Sequence, residues 1–415
     1  MIHPWLRRHQ RSTFLVASGL STAGSFAGLT AKGWILIDGS DNPLVLALHF
    51  AALALPSLAV SGAAGVLTDR LGSERVLIRA QWALFGAGVL GAIAIPLTTG
   101  QLQMGLLLLS TLLIGIASTF ELTARNKYCA LLVDEPGQLA PYLASFSVVF
   151  NVGKLVGPPL GGWMLALSGP TTALALDAAT YLLPIATIVW LLLPNRSAEQ
   201  TSSPVVQGHG PTGAANPASL QAAWDGCGPV LRHVLRFTAL ACLVVFFHPG
   251  LAPLMARQVL DGSPQALGTF TAVLAAGSIG GGVILQRNSR WLCSRPSLLL
   301  GVCTLITGMA QVGLGTSRGV VTGLAMTFVI GAGTACLLAG TNLITQVGSP
   351  QRLRGRMAGL SQIAFLGGGG LSGLVAALLT LAWGLGPTAA LMGGIGLGLG
   401  ILEVLRRGKT RLLPA

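Results

Sequence analysis

The sequence predicts an all-α membrane protein whose twelve transmembrane helices form two pseudo-symmetric six-helix halves. Three observations predict this fold class: an apolar composition, twelve apolar runs of membrane-crossing length, and basic residues concentrated on one side. Of the 415 residues, 52% are hydrophobic and 9% are charged, and the mean hydropathy is +0.72. A soluble domain carries about 25% charged residues, so most of this chain is expected to avoid water.

The twelve predicted helices follow from the length of the apolar runs. A bilayer core of about 30 Å needs roughly 20 apolar helical residues to cross it. The first run is too long for a cleaved signal peptide and lacks a small-residue cleavage site followed by a soluble domain. The predicted helices cover residues 13–37, 44–68, 76–97, 104–127, 141–166, 171–193, 234–256, 264–286, 297–316, 319–346, 357–382 and 386–405.

Lysine and arginine are unevenly distributed over the loops that these helices define. With the N-terminus in the cytoplasm, 21 of the 25 basic residues fall in cytoplasmic segments and two fall on the other side. The positive-inside rule predicts this asymmetry for an even number of spans. Topology thus accounts for the net charge of +13, and we expect no nucleic-acid partner. The expected location is the inner (plasma) membrane, with both termini cytoplasmic.

The sequence lacks the residue patterns of an enzyme or a metal protein. The six cysteines show no CxxC or other metal-ligand spacing, and several lie in apolar runs, where cysteine behaves as a small hydrophobe. No HExxH, GxSxG or Walker pattern occurs. We therefore expect neither an enzyme nor a cofactor, and the missing Walker sequence argues against direct ATP drive.

A segment rich in Pro, Gly, Ser, Thr and Ala, residues 195–221, divides the predicted helices six and six. It has no apolar periodicity and is expected to be a flexible linker. Residues 216 positions apart match at several places, which indicates an internal repeat. The predicted domains are a six-helix half over 1–194, a cytoplasmic linker with a candidate interfacial helix over 195–233, and a six-helix half over 234–415. The matched pairs include Asn126 with Asn342, Ser145 with Ser361, Gly153 with Gly369 and Gly157 with Gly373.

A glycine-rich charged loop, G-A-A-G-V-L-T-D-R-L-G-S-E-R, follows the second predicted helix. It resembles the signature loop of the major facilitator superfamily, G-x-x-x-D-R-x-G-R-[RK], and departs from it at Ser73 and Glu74. Glycine lets helices approach closely, and an aspartate can accept N–H groups at a facing helix N-terminus. The resemblance implies a major facilitator fold and a gate built from Gly65, Asp69, Arg70, Gly72 and Arg75.

The fifth predicted helix contains a second motif, N-V-G-K-L-V-G-P-P-L-G-G. It resembles the G-x-x-x-G-P-x-x-G-G antiporter motif of exporters in the same superfamily. Glycines permit close packing, and a proline removes a backbone hydrogen bond and bends a helix. The resemblance implies a hinge and favours export, whereas ordinary close packing is the alternative interpretation. The motif residues are Gly153, Gly157, Pro158, Gly161 and Gly162.

Shorter stretches narrow the resemblance to one branch of the superfamily. Thr123–Arg125, Phe247–Pro249 and Leu353–Arg356, with the two motifs, resemble the enterobactin-exporter and macrolide-efflux branch over nearly the whole chain. The resemblance implies a charge relay in which a fourth-helix acid, Glu121, meets an arginine of the signature loop. Glu121 as a proton site is the alternative. The arginines assigned to this gate are Arg70, Arg75, Arg125 and Arg356.

Ionisable residues inside the predicted helices are candidates for coupling and substrate binding. Such a group at a helix centre costs at least about 2.5–3.5 kcal/mol, so each one requires a partner or a function. Lys154 lies near the middle of its span, and Lys32 and Asp177 lie nearer one face. We hypothesise that Asp177 neutralises Lys154, or else Lys32, and that one pair responds to protonation or substrate. A permanent, purely structural pair is the alternative.

Aromatic and polar side chains inside the helices are further candidates for the substrate cavity. Pockets for amphipathic ligands are largely apolar with few polar anchors, and a histidine titrates near neutral pH. A packed, structural histidine and lipid-facing aromatics are the alternatives. The candidates are Phe26, Trp34, Asn151, Phe247, His248, Asn342 and Gln362.

Together the motifs predict a secondary active transporter that exports a small amphipathic molecule, such as a drug, siderophore or metabolite, by proton antiport with alternating access. A lysophospholipid or lipid translocator on the same fold is the alternative, because the run Asn126-Lys127-Tyr128 is similar to one in lysophospholipid transporters. A sensor would need a soluble output domain. The expected partners are the substrate, protons and membrane lipid, and the chain is expected to act as a monomer.

Overall fold

A computed structural model describes residues 4–132, 136–192, 224–260, 262–349 and 354–406. The predicted linker over 195–221 lies outside these residues. The described ranges are helical almost throughout and contain no strand. Their α-helices are α1 (Pro4–Ser40), α2 (Pro43–Leu71), α3 (Ser73–Leu97), α4 (Gly100–Leu131), α5 (Pro136–Thr180), α6 (Leu182–Ala186), α7 (Pro229–Val245), α8 (His248–Val259), α9 (Pro264–Cys293), α10 (Pro296–Thr316), α11 (Val320–Val347), α12 (Arg354–Trp383) and α13 (Leu385–Leu405), and a π-helix, Thr187–Leu192, follows α6.

The predicted all-α membrane fold is confirmed. Within the described residues, eleven helical segments are long and apolar enough to cross a membrane. One of them, 148–189, has 42 residues, twice the length of about 20 residues that one crossing requires. Non-helical backbone angles at Gly169 break that segment, so it supplies two crossings and the described residues supply twelve.

Three glycines with positive φ mark sharp changes of chain direction. Gly72 (φ +86°) separates α2 from α3, Gly169 (φ +80°) breaks α5, and Gly384 (φ +84°) separates α12 from α13. A residue with a Cβ is strained in this left-handed region, and glycine is not. These connections are therefore tight, and they place consecutive apolar helices side by side with little intervening loop.

The chain forms two compact units. The first, unit 1, comprises Met1–Lys32 and Ala59–Ala214. Near one end of its helices Phe14 packs against Tyr128, with ring centroids 5.3 Å apart, and against Phe146 at 5.6 Å. All three rings are buried, and they hold α1, α4 and α5 together where aromatic edge-to-face contacts add to the burial of apolar surface.

The second, unit 2, comprises Gly33–Leu58 and Ala215–Ala415. Its α10 and α13 pack antiparallel through three glycine pairs spaced seven residues apart. A Cβ built on Gly301, Gly308 or Gly315 would lie 2.9, 2.6 or 2.4 Å from a carbonyl oxygen of α13. The two backbones are therefore in direct contact, as small residues allow in membrane bundles. The facing glycines of α13 are Gly400, Gly393 and Gly386, in the same order.

The seventh membrane crossing is broken between α7 and α8. It begins at Pro229, earlier than the predicted start at residue 234. Pro249 has no N–H group, so the carbonyl of Val245 loses its usual helical donor four residues on. The side-chain amide of Gln311 donates to that carbonyl at 2.7 Å. A buried glutamine thus supplies the hydrogen bond that the proline removes.

Candidate functional site

The signature loop lies at the junction of α2 and α3. Asp69 and Arg70 occupy the last turn of α2, Gly72 forms the turn, and Arg75 lies in the first turn of α3. Asp69 forms an ion pair with Lys127 of α4. Both arginines are exposed. Within unit 1 the acid of this loop therefore ties α2 to α4, a partner that the sequence did not identify.

Glu74, where the loop departs from the superfamily pattern, is buried in the first turn of α3 with 5% exposure. A carboxylate at a helix N-terminus is favoured by the unpaired N–H groups and the helix dipole. The residue is therefore part of the folded junction and not a surface substitution.

Glu121 pairs with its own helix and not with the signature loop. Its Oε1 lies 3.0 Å from Nη1 of Arg125, one turn later on α4, and 3.5 Å from the side-chain amide of Gln81 on α3. The predicted contact with Arg70 or Arg75 is not formed. Arg125 is 7% exposed and also lies 5.7 Å from the centroid of the Phe146 ring.

The reason for this pairing is helix geometry. Residues four apart on an α-helix share a face, so Glu121 and Arg125 satisfy each other without any movement of the loop. Glu121 and Arg125 of α4 therefore carry no net charge as a pair. The role of this pair in gating stays a prediction.

The glycines of the fifth-helix motif form the contact between α5 and α1. A Cβ on Gly153 would lie 2.9 Å from the side chain of Thr22, and one on Gly157 would lie 2.6 Å from the carbonyl oxygen of Ala23. A Cβ on Gly161 would lie 2.2 Å from the carbonyl oxygen of Ala27. The spacing of four residues keeps these glycines on one face, and any larger side chain would separate the helices.

The backbone of this region breaks between the fifth and sixth predicted helices. Pro158 keeps helical backbone angles, whereas Gly169 leaves the helical region with φ +80° and ψ 170°. Proline at 158 removes one N–H group but leaves α5 continuous past the motif. Gly162 is buried in the same stretch. Gly169 therefore forms the turn between the fifth and sixth crossings, and the hinge expected at Pro158 stays a prediction.

Lys32 is fully buried in α1, with 0% of its side chain exposed. Its ammonium donates to the hydroxyl of Ser110 on α4 at 2.7 Å, and that hydroxyl donates to the carbonyl of Ala87 on α3 at 2.6 Å. A Cβ on Gly91 would lie 3.0 Å from Cε of the lysine. Glycine at 91 therefore provides the room in which the charged chain lies.

Asp177 is 2% exposed and lies in the part of α5 that follows the break at Gly169. Its carboxylate lies directly over Gly28 of α1, where a Cβ would come within 2.0 Å of Oδ2. The carboxylate attracts the Lys32 ammonium electrostatically, although the two make no direct ion pair within 4.0 Å. The other carboxylate oxygen, Oδ1, has no hydrogen-bond partner among the described residues.

Tyr181 continues this buried polar group one turn after Asp177. Its side chain is 2% exposed, and its hydroxyl lies near Ser25 and Asp177 without satisfying hydrogen-bond geometry to either. We call Lys32, Ser110, Asp177 and Tyr181 the buried charge cluster. It joins α1, α4 and α5 through polar groups whose hydrogen bonds are only partly formed. Such an arrangement is costly in free energy inside a membrane.

Lys154 does not pair with Asp177. It lies in the middle of α5, its side chain is exposed, and it makes no ion pair or hydrogen bond with the described residues. Of the two pairings considered from sequence, the structure brings Asp177 toward Lys32. The sequence could not choose because helical rotation, and not depth alone, decides which lysine points at the carboxylate.

The remaining candidates are dispersed. Phe26 packs edge to face on Phe150 at 5.7 Å, and buried His248 packs edge to face on Phe246 at 4.9 Å. Asn342 is half-buried on α11, and its carbonyl accepts from Thr345 at 3.0 Å. Phe247 and Trp34 are buried. The side chains of Asn151, Arg356 and Gln362 lie outside the described residues.

A second charged group lies in unit 2. Arg257, at the end of α8, bonds Asp38 at 2.6 Å and Asp41 at 3.1 Å, and its guanidinium lies 4.7 Å from the centre of the Trp34 ring. Sequence reasoning missed this cluster because the partners are more than 200 residues apart. Trp34 therefore takes part in a cation–π contact, and its place in a substrate cavity stays a prediction.

Twelve membrane crossings with buried charges and a glycine-packed fifth helix form a polytopic membrane transporter. The family model described as "transmembrane secretion effector", from the major facilitator superfamily, matches residues 3–410. The chain belongs to this family, and the major facilitator fold predicted from the motifs is confirmed.

Known relatives and solved structures agree with this assignment. The multidrug efflux pump Tap of Mycolicibacterium fortuitum is 26% identical over 391 residues, covering 90% of each chain. Tap of Mycobacterium tuberculosis H37Rv is 26% identical over 382 residues, covering 90% of this chain and 88% of that protein. A bacterial homologue of the human lysosomal transporter Spinster has a TM-score of 0.74 at 14% identity and 100% coverage of both chains. The nucleoside transporter NupG has a TM-score of 0.72 at 11% identity, covering 97% of this chain and 100% of that chain.

Proposed function

We propose that this transporter is a secondary active exporter that moves a small amphipathic molecule out of the cell in exchange for protons. Its family membership and its likeness to pumps named for multidrug efflux support export. The glycine motif of α5 supports it as well. The proposed location is the inner membrane with both termini cytoplasmic, and the proposed working unit is a monomer.

The observation that carries the proton part of the proposal is the buried charge cluster. A carboxylate at membrane depth is expensive unless it is paired or protonated. Asp177 is buried, its Oδ1 lacks a hydrogen-bond partner among the described residues, and its counter-charge Lys32 is held by Ser110. Such a carboxylate has two ways to lower its free energy: it binds a proton, or it draws the lysine into contact.

These two states would couple protons to movement through α1. When Asp177 is protonated, the attraction between α1 and the end of α5 is lost and Lys32 remains bonded to Ser110. When Asp177 is charged, the attraction across the Gly28 contact is restored. A proton can shift a conformational equilibrium only by a difference in free energy between the two states, and this charge–charge interaction supplies one.

The gate of the transporter is assigned to the two charge pairs at the other end of these helices. Asp69 with Lys127, and Glu121 with Arg125, join α2 to α4 and neutralise α4. We assign them to the cytoplasmic side, where alternating access requires contacts that form in one state and break in the other.

Everted membrane vesicles test the proposal. Respiration acidifies their interior, and an acridine dye reports the pH gradient while lipophilic cations, macrolides and catecholate siderophores are added in turn. We expect at least one compound to dissipate the gradient in vesicles with the native protein. Asp177→Asn should abolish this response, while Asp225→Asn, a change at an exposed acid, should preserve it.

A second measurement separates coupling from folding. Substrate exchange without a pH gradient requires no net proton transfer, so Asp177→Asn should still exchange labelled substrate across the vesicle membrane. Gradient dissipation by Asp177→Asn at the native rate would remove Asp177 from the mechanism. Failure of the native protein to respond to any compound, with its insertion verified, would overturn proton-coupled multidrug export.

A further inference from the structure

The fifth helix exposes Lys154 on the side opposite its exposed apolar residues. Val152, Val156 and Trp163 form its exposed apolar stripe, with 51%, 41% and 47% of each residue accessible. At 3.6 residues per turn, Lys154 lies about half a turn from the middle of that stripe. The side chain of Lys154 is nevertheless exposed, so it is accessible from the side of α5 that faces away from the stripe.

This lysine differs from the other cations at membrane depth. Lys32 is attracted by Asp177, and Arg125 is paired with Glu121. Lys154 has no acidic group and no hydrogen-bond acceptor among the described residues. A cation inside a membrane is retained at a free-energy cost, and here the described part of the chain supplies nothing that offsets it. An anion from outside the chain would.

A narrow aromatic crevice lies one turn before Lys154 on the same side of α5. Phe150, one turn before the lysine, shares its face, is 40% exposed and packs on Phe26. Glu121 already neutralises Arg125 in this crevice, so the crevice itself is apolar and hydroxyl-bearing. Its walls are Ser18 and Thr22 of α1, Arg125 of α4, and Phe146, Val149 and Phe150 of α5.

We propose that Lys154 is the recognition point for an amphipathic anion. The carboxylate, sulfonate or phosphate of the ligand pairs with the ammonium, and its ring or chain lies against the exposed ring of Phe150. A ligand pocket of this kind combines an apolar wall with one charged anchor that sets orientation. The proposal rests on the proposed export function only for the direction of movement, because binding itself requires no gradient.

Binding to the purified protein is the direct test. Fluorescein and rhodamine 123 share a xanthene ring system and carry opposite charges, so fluorescence anisotropy compares charge at nearly constant shape. We expect the native protein to bind fluorescein and to bind rhodamine 123 about tenfold less tightly or worse. Tighter binding of rhodamine 123, or no binding of fluorescein, would overturn the proposal.

Four variants locate the effect at Lys154. Lys154→Met should weaken fluorescein binding by about tenfold or more, and Lys154→Glu should also shift the preference toward rhodamine 123. Lys154→Arg keeps the positive charge, and Val156→Met changes the opposite, apolar face of α5. Both variants should therefore bind fluorescein as the native protein does. Unchanged fluorescein affinity in Lys154→Met would show that the lysine is not the anchor.

Two further experiments identify the source of the anion and test the anion site independently of the proposed proton antiport. If lysophosphatidylglycerol displaces fluorescein and lysophosphatidylcholine does not, the anion is a lipid headgroup. If neither displaces it, the anion is a free solute. Fluorescein that binds but dissipates no pH gradient in everted vesicles would sustain the anion site and count against proton antiport.

Discussion

The two compact units of this transporter bury different kinds of polar group. Unit 1 buries Lys32, Arg125 and Asp177, whose charges need partners on other residues. Unit 2 buries the acid Glu403, which lies 2.8 Å from His233. Its other buried polar groups are mainly threonines, such as Thr304 and Thr327, whose hydroxyls donate to the carbonyl one turn earlier at 2.8 Å. A threonine satisfies itself within its own helix, whereas a charge does not. Among the described residues, unit 1 therefore buries more charged groups at membrane depth than unit 2 does.

The internal repeat makes the same comparison position by position. Residues 216 apart pair Glu121 with Leu337, Arg125 with Thr341, and Lys154 with Gly370. Thr341 hydrogen-bonds Thr238 at 2.8 Å in place of an ion pair. The matched positions of the second half are helical without these charges. Their presence in the first half is better explained by function.

The largest effect is expected from the buried charge cluster. Lys32→Met leaves Asp177 without its cation, and breaking a buried charge pair costs about 3–5 kcal/mol. The double change Lys32→Met/Asp177→Asn should recover most of this loss. Thermal unfolding in detergent, monitored by tryptophan fluorescence, compares the stability of the native protein with that of the single and double variants.

A matched change in unit 2 sharpens the contrast. Thr304→Val removes a buried hydroxyl without a charge and should cost only about 1 kcal/mol. If the double variant is no more stable than Lys32→Met, the two charges are not coupled. The distinction between the units would then lose its basis.

A smaller but clear effect is expected from the glycine contact of unit 2. Gly308→Ala places a Cβ 2.6 Å from the carbonyl oxygen of Gly393, and backbone atoms cannot move aside as a flexible side chain can. Overpacking of this kind costs about 1–3 kcal/mol. Gly394→Ala is the control, since its Cβ meets nothing within 4 Å, and it should leave the melting temperature unchanged or raise it. Equal melting temperatures for the two variants would contradict direct backbone packing of α10 on α13.

The smallest effect is expected from the exposed charge cluster of unit 2. Arg257 is 23% exposed, while its partners Asp38 and Asp41 are 69% and 86% exposed, so solvent screens the interaction. A double-mutant cycle on Arg257→Ala and Asp38→Asn should give a coupling free energy of about 0–1 kcal/mol. A coupling as large as that of the Lys32–Asp177 cycle would abolish the proposed difference between buried and exposed charges.

Much of the architecture was predictable from sequence, because hydropathy and charge act on whole segments. The twelve crossings and the motif glycines on the α1–α5 contact follow from runs and spacings within about 20 residues. The helix ends were less accurate. Pro229 starts α7 earlier than predicted, since the basic residues Arg232 and Arg236 that interrupt the apolar run remain helical. The domain boundaries stay a prediction.

The candidate site was predictable only in part. Lys32, Lys154 and Asp177 were identified because a charge in an apolar run is conspicuous. Ser110, Tyr181 and Gln311 were not, because a single polar residue of that kind is common in membrane helices and shows its role only through its partner. The break at Gly169 falls in the gap between the predicted helices 141–166 and 171–193, where glycine tolerates the positive φ that the chain adopts.

The sequence by itself determined that this chain crosses a membrane twelve times, belongs with the major facilitators and carries charges where lipid would exclude them. Each of these depends on composition or spacing along one helix. The tertiary structure decided that Asp177 faces Lys32, that Glu121 faces Arg125 and that Lys154 faces no acid among the described residues. Side chains on different helices meet according to helix rotation and separation, which Gly28, Gly91 and the α5 glycines set by allowing α1 to approach its neighbours.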